Sequence, residues 1–222
     1  MTDLRLIYGH DPICGWCYAG IPAQRALARR FPDLPVELAM GGPFTGDRVV
    51  PYPAMEDYIN RAFDRIEDRT GRRARAPFFR MIGDPASGDF DSTLPVHAVL
   101  QMRALAPDRL ADYAHALQEA HYEQGRPFNA PEVFEDVARA LGLPVPDGAA
   151  AVAATDDDPL IRAEYDRARG MGLVGYPTSF VVDGEDRVLG RIEGIYDPDA
   201  FVEAFEAIVA RDETAAATPA PA

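Results

Sequence analysis

Two cysteines stand in this 222-residue chain, and one motif holds both: Cys14-Gly15-Trp16-Cys17. Thiol–disulfide exchange needs an attacking thiolate, a sulfur to attack and a leaving thiol close by. A C-x-x-C pair at the start of a helix brings these together. The unpaired N–H groups and the dipole of a first helical turn favour negative charge. Such placement lowers a cysteine pKa from ~8.5 to somewhere in roughly 3.5–7.5. Cys14 is therefore the candidate nucleophile. Cys17, one turn deeper, is expected to be more buried and to resolve a mixed disulfide formed at Cys14. Between them, Gly15 brings no side-chain charge, and Trp16 brings apolar bulk and one N–H donor but no cation. A less oxidising centre than the strongest oxidants is expected.

Two other uses of the pair stay open on the residues alone. Half of a zinc site is one, but zinc usually takes four ligands. The four histidines, His10, His97, His115 and His121, show no paired ligand spacing with the cysteines. A pair of inert buried thiols is the other, since free cysteines are common in cores.

A second segment bears on the same chemistry. Gly175-Tyr176-Pro177-Thr178 stands directly before an apolar run. A cis Tyr176–Pro177 bond there would expose the Tyr176 backbone for pairing with an extended substrate segment. An ordinary trans entry into a strand is the more frequent arrangement, because only ~5–6% of X-Pro bonds in folded proteins are cis.

The elements that must position these residues follow from the pattern. Residues 4–9 read as a buried strand, and His10-Asp11-Pro12-Ile13 as a turn. From Gly15 to Arg30 the apolar residues recur at helical spacing, with Pro22 predicting a kink or break and arginines suiting the helix end. Val36–Met40 reads as a second strand, closed by Gly41-Gly42-Pro43. The middle, 54–170, reads as helical. Asn129 is placed to cap a helix through Val133, Phe134, Val137 and Leu141 that Gly142 ends, and Arg69–Arg80 reads as a solvated face or a loop. Thr178–Val182 and Arg187–Ile192 form a hairpin about Asp183-Gly184-Glu185-Asp186. Asp197-Pro198 opens a last helix with Phe201, Val202, Phe205, Ile208 and Val209 on one stripe.

The order is βαβ, a helical block, then ββα, which is an α/β chain of thioredoxin fold with an inserted all-helical domain. The expected division is 1–50 and 171–211 for the thioredoxin-like domain, 54–170 for the insertion with its return helix, and 212–222 for a disordered tail rich in Ala, Thr and Pro.

Composition narrows the partners. The net charge of −14 argues against a nucleic-acid backbone and an anionic membrane surface. All 22 basic residues are arginine, which removes Schiff-base lysines and P-loop lysines. The N-terminus has no basic and apolar leader pattern. No run approaches ~18 apolar residues. A cytoplasmic location is expected. In a reducing compartment a lone C-x-x-C is more often catalytic or metal-binding than a staple.

The residues Asp11-Pro12-Ile13-Cys14-Gly15-Trp16-Cys17-Tyr18, with Val174-Gly175-Tyr176-Pro177-Thr178-Ser179-Phe180 and the helical block between, resemble the DsbA family of thioredoxin-fold proteins. The likeness spans about residues 4–210 and is greatest to the bacterial FrnE-related branch of protein-disulfide isomerases. It implies redox roles for Cys14 and Cys17, a cis Pro177 facing the disulfide, and substrate contacts at Trp16, Tyr176 and Pro177. It implies no cofactor beyond the redox-active disulfide, no metal, and protein thiols or disulfides as partners, with glutathione as a redox partner. Three departures stand out: Gly-Trp replaces the Pro-His of strongly oxidising periplasmic members, no lysine is available for a buried acid–lysine pair, and no export signal is visible. Two other activities compete. One is a glutathione-dependent isomerase or transferase of the hydroxychromene carboxylate or kappa type, whose members carry Ser at the position of Cys14. The other is a non-catalytic holdase.

Overall fold

The computed structural model describes residues 4–217. Strand β1 (Arg5–His10) leads to helix α1 (Gly15–Arg30) and strand β2 (Val36–Met40). Then come β3 (Val50–Pro51), α2 (Glu56–Thr70), α3 (Ala76–Ile82) and β4 (Asp89–Phe90). Helices α4 (Thr93–Leu105), α5 (Leu110–Tyr122), α6 (Pro131–Ala140), α7 (Gly148–Val152) and α8 (Pro159–Gly170) follow. Strands β5 (Thr178–Val182) and β6 (Val188–Glu193) and helix α9 (Pro198–Ala217) complete the described chain.

The main sheet has the order β2-β1-β5-β6. Strand β1 runs parallel to β2 and antiparallel to β5, and β5 pairs antiparallel with β6. Because alternate residues of a strand face opposite sides, each strand feeds two cores. Leu6 and Val181 pack under α1 and α9 with Leu27, Phe201 and Phe205. Ile7, Phe180 and Val182 pack on the other face with Ala168 of α8 and Leu173. The expected βαβ…ββα order and the inserted helical block are both present.

Several expectations change in detail. The inserted block is not wholly helical: β3 and β4 pair as a two-residue ribbon. Helix α1 runs through Pro22 without a break. Only one backbone bond is lost there, and buried Ile21, Ala23 and Leu27 on either side hold the helix against its neighbours. His10 belongs to β1, paired with Met40, rather than to the turn. Arg69–Arg80 spans the end of α2, a turn at Gly71 in the left-handed region (φ 68°), and most of α3.

Asn129 does not cap α6. The cap is Ala130, with no side-chain bond, and Pro131 opens the helix where an N–H would go unpaired anyway. Asp197 does cap α9, accepting from the N–H groups of Asp199 and Ala200. Of the expected disordered tail, residues 212–217 continue α9 as helix, and 218–222 lie outside the described residues.

The helical block meets the sheet through one apolar cluster and the turn and helix α1 through another. Tyr8, Leu38 and Met40 join Val99, Met102, Tyr113 and Phe134 in one. Ile13, Tyr18 and Ile21 join Ile59, Phe63, Phe78 and Tyr122 in the other. The second cluster lies directly behind the motif, so α2, α3 and α5 set the walls around the thiols.

Candidate active site

The turn before α1 is built by its own residues and held from outside. The Asp11 carboxylate accepts from the Ile13 N–H at 2.9 Å, and the Cys14 N–H donates to the Asp11 carbonyl at 3.0 Å. An Asp side chain bonding two residues ahead is the usual turn chemistry of this residue. From α5, the Gln118 side-chain amide donates to the carbonyls of Asp11, Pro12 and Cys14 at 3.3, 3.3 and 3.2 Å. The Tyr122 hydroxyl donates to the Ile13 carbonyl at 2.5 Å.

Cys14 caps α1, and its carbonyl accepts from the Tyr18 N–H at 3.1 Å. Its thiol is half-buried, whereas Cys17 is fully buried, and both are free. Burial pushes the Cys17 thiol well above its ordinary value, and the neighbouring Cys14 sulfur adds to that. The two thiols thus differ in access, and burial disfavours the Cys17 thiolate. Cys14 Sγ faces the Tyr176 carbonyl at 3.7 Å, and the Tyr176–Pro177 bond is cis. The structure brings together Cys14, Cys17 and Tyr176, with Pro177 beside Tyr176 and Trp16 beside Cys14.

Trp16 leans on Tyr196, with ring centroids 5.3 Å apart. The Arg69 guanidinium lies over the Tyr196 ring and donates to the Gly194 carbonyl at 2.9 Å. The end of α2 is thereby tied to the loop after β6, across the motif.

Behind the thiols sits a buried carboxyl. Asp11 is fully buried, and burial raises it to about 7 against the opposing pull of the Ile13 N–H. His10 is also fully buried, and burial lowers it to about 3. The other histidines are engaged elsewhere. His115 meets Gln24 at 3.1 Å, His121 Nδ1 meets the Arg126 carbonyl at 2.8 Å, and His97 lies beside Gln101 and Asp158. Among the described residues no group of three or more His, Cys, Asp and Glu side chains is arranged to hold a metal ion.

A cavity of about 450 Å³ opens beside Cys14. Its floor is the motif and the Gly41–Phe44 loop, and its far wall is α2, through Ala62, Phe63 and Ile66. Sequence reasoning found Cys14, Cys17, Trp16, Tyr176 and Pro177. It assigned no role to Gln118, Tyr122, Tyr196 or Arg48. Gln118, Tyr122 and Tyr196 reach the motif from distant segments, Arg48 lines the cavity beside it, and none carries a local spacing signal.

The match to known families decides the membership: residues 10–206 fit the DSBA-like thioredoxin domain. The chain belongs to the DSBA-like thioredoxin domain family. Among solved structures, it is similar to the cytosolic disulfide reductase DsbM from Pseudomonas aeruginosa. Identity is 28%, with 93% of this chain and 98% of that one covered at a TM-score of 0.75. The same protein described with GSH aligns at 29% identity, 93% and 99% coverage and a TM-score of 0.73. A 2-hydroxychromene-2-carboxylate isomerase shares the fold at 13% identity, with 96% and 99% covered and a TM-score of 0.58. No curated protein sequence matches the chain. The helical block of this DSBA-like chain lies between β2 and β5. Among its described residues no helix is long and apolar enough to cross a membrane.

Proposed function

We propose that this protein is a thiol–disulfide oxidoreductase in which Cys14 attacks and Cys17 resolves. The carrying observation is the asymmetry of the pair: one half-buried thiol at the N-terminus of α1, one fully buried thiol a turn deeper. Cys14 as thiolate attacks one sulfur of a disulfide, and the other sulfur leaves as a thiolate. Cys17 then attacks Cys14 Sγ, releasing the second thiol and closing a Cys14–Cys17 disulfide. Two electrons have passed to the substrate. Two glutathione molecules return the pair to the dithiol by the reverse exchanges.

The Tyr176 carbonyl, already facing Cys14 Sγ, holds the backbone of the bound substrate, and Pro177 and Trp16 flank it. Similarity to a cytosolic disulfide reductase, described also with GSH, supports work in the reducing direction, in the cytoplasm, on protein or glutathione disulfides. The absence of a cation between the thiols agrees with this direction.

A redox titration with thiol alkylation tests the reading. The pair is expected to form an intramolecular disulfide with a potential nearer the ~−270 mV of a reductant than the ~−120 mV of a strong oxidant. If no Cys14–Cys17 disulfide forms at any glutathione ratio, the reading fails.

A further inference from the structure

The cavity beside Cys14 carries a more specific message. It holds about 450 Å³, inside the range of roughly 300–1,000 Å³ typical of small-molecule sites. Its walls are apolar and largely aromatic: Trp16, Phe44, Ala62, Phe63 and Ile66 surround the space in front of the Cys14 sulfur. Aromatic walls of this kind favour a flat ring in offset or edge contact.

The charge at the mouth is one-sided. The formal charge of the chain is −14, yet no carboxylate lines this cavity, and its two charged residues are Arg48 and Arg169. Arg169 is paired with Asp166. Arg48 is exposed and donates only to the Gly42 carbonyl at 3.2 Å and the Thr45 hydroxyl at 3.3 Å. It has no acidic partner among the described residues. A guanidinium with free N–H groups at the rim of an apolar space is suited to a carboxylate.

We infer that the site takes small disulfides in which one half is an apolar, aromatic thiol bearing a carboxylate, with the ring against α2 and the carboxylate on Arg48. The inference rests on the oxidoreductase reading above. Cys14 thiolate attacks the sulfur of the aromatic half, and the other half leaves as a thiolate. The aromatic thiol, now joined to Cys14, sits in the cavity until Cys17 displaces it. The two electrons come from the Cys14–Cys17 dithiol, which a low-molecular-weight thiol restores.

The test uses the full chain with glutathione as reductant and two probes: 4,4′-dithiodibenzoate, aromatic and anionic, and 2-hydroxyethyl disulfide, small, polar and neutral. The kcat/KM ratio of the first to the second is expected to exceed the same ratio for free dithiothreitol at least ~10-fold, a preference worth about 1.4 kcal/mol. Arg48→Gln should lower the ratio about 10-fold through KM, with Arg48→Lys keeping most of it, as a lost carboxylate contact demands. Ala62→Trp, which fills the cavity, should lower it at least as much. The Cys14–Cys17 potential and the thermal midpoint are read in each variant to confirm that the thiols and the fold are intact. A wild-type ratio no greater than that of dithiothreitol, or a ratio unmoved by both Arg48→Gln and Ala62→Trp, overturns the inference while the oxidoreductase reading stands. If neither disulfide is turned over and no internal disulfide forms, the underlying reading is what fails.

Discussion

The phenol oxygen of Tyr176 lies 1.3 Å from where a Cβ on Gly41 would stand. The Tyr176 side chain, from the loop before β5, therefore occupies the space that any side chain at Gly41, just after β2, would need. The same tyrosine presents its carbonyl to Cys14, so the clearance at Gly41 helps set the distance between the thiol and the Tyr176 backbone.

Gly41→Ala is expected to fold, because the obstructing atoms belong to the tip of a side chain that can rotate away. Overpacking of this kind costs about 1–3 kcal/mol. The displaced Tyr176 should also weaken disulfide turnover. Thermal unfolding and steady-state reduction assays on the variant check both effects. Full activity with an unchanged midpoint would mean that the contact does not position Tyr176.

Gln118 makes a second prediction. Its single amide group serves three carbonyls of the turn that carries Cys14. Gln118→Met keeps the volume and removes the donor. The Asp11 and Cys14 carbonyls keep the N–H groups of Cys14 and Tyr18, while the Pro12 carbonyl loses its Gln118 bond, at a cost of about 1–3 kcal/mol. The looser turn should also shift the Cys14–Cys17 potential. Urea unfolding and a redox titration read the two effects separately, and an unchanged urea midpoint would show that the three bonds contribute nothing.

What could be read from the chain divides along the same line. The strands around the motif were legible because their alternation is local: Val36–Met40 and Thr178–Val182 fall where the pattern puts them. The thiols were legible because their spacing is itself the signal. The partners of the motif were not. Gln118 and Tyr122 lie more than a hundred positions away, on one face of α5, and nothing in α5 distinguishes them from ordinary helix residues. Pro22 misled for a related reason: the local cost of a proline was visible, but the packing that overrides it was not. The β3–β4 ribbon, two residues on each strand, is too short for any alternation to register.

Glu164 gives a third prediction. Its buried carboxylate accepts from the Met40 N–H at 2.8 Å and pairs with Arg103 at 2.7 Å and Arg167 at 3.2 Å. Both arginines also donate to the Leu38 carbonyl, so this cluster pins the end of β2 just before Gly41. Burial alone would raise the carboxyl, but Arg103 and Arg167 outweigh it and hold it below its ordinary value. The stabilisation is therefore present above the unfolded value of 4.5 and is lost as pH falls. Glu164→Ala removes one side of the cluster. Because both guanidiniums keep about a third of their exposure, the cost should sit near the lower end of the range for broken buried pairs, about 3 kcal/mol. Denaturant unfolding of the variant, repeated below about pH 4 where the wild-type carboxyl is protonated in the unfolded chain, should show the difference shrinking.

Asp11 predicts a pH dependence of the opposite sign. Its folded value, raised by burial to about 7, stands above the ordinary 3.8. A group raised on folding contributes stability that is complete below its unfolded value and lost as pH rises through its folded one. Each tenfold change in proton affinity corresponds to about 1.4 kcal/mol, so the decline attributable to Asp11 is on the order of 4 kcal/mol at most. His10, His115 and His121 oppose it. Burial lowers them to about 3, about 4 and about 4, so their stabilisation is complete above the ordinary 6.5 and falls as pH drops below it. The wild-type curve mixes both trends, and Asp11→Asn separates them. The stability of the variant relative to wild type should grow as pH rises from about 4 to about 7 and level off beyond, since only there does the wild-type carboxyl resist ionisation. Urea midpoints of both proteins across that interval measure the difference directly. A difference that stays constant with pH would mean that the carboxyl behind the thiols ionises at its ordinary value.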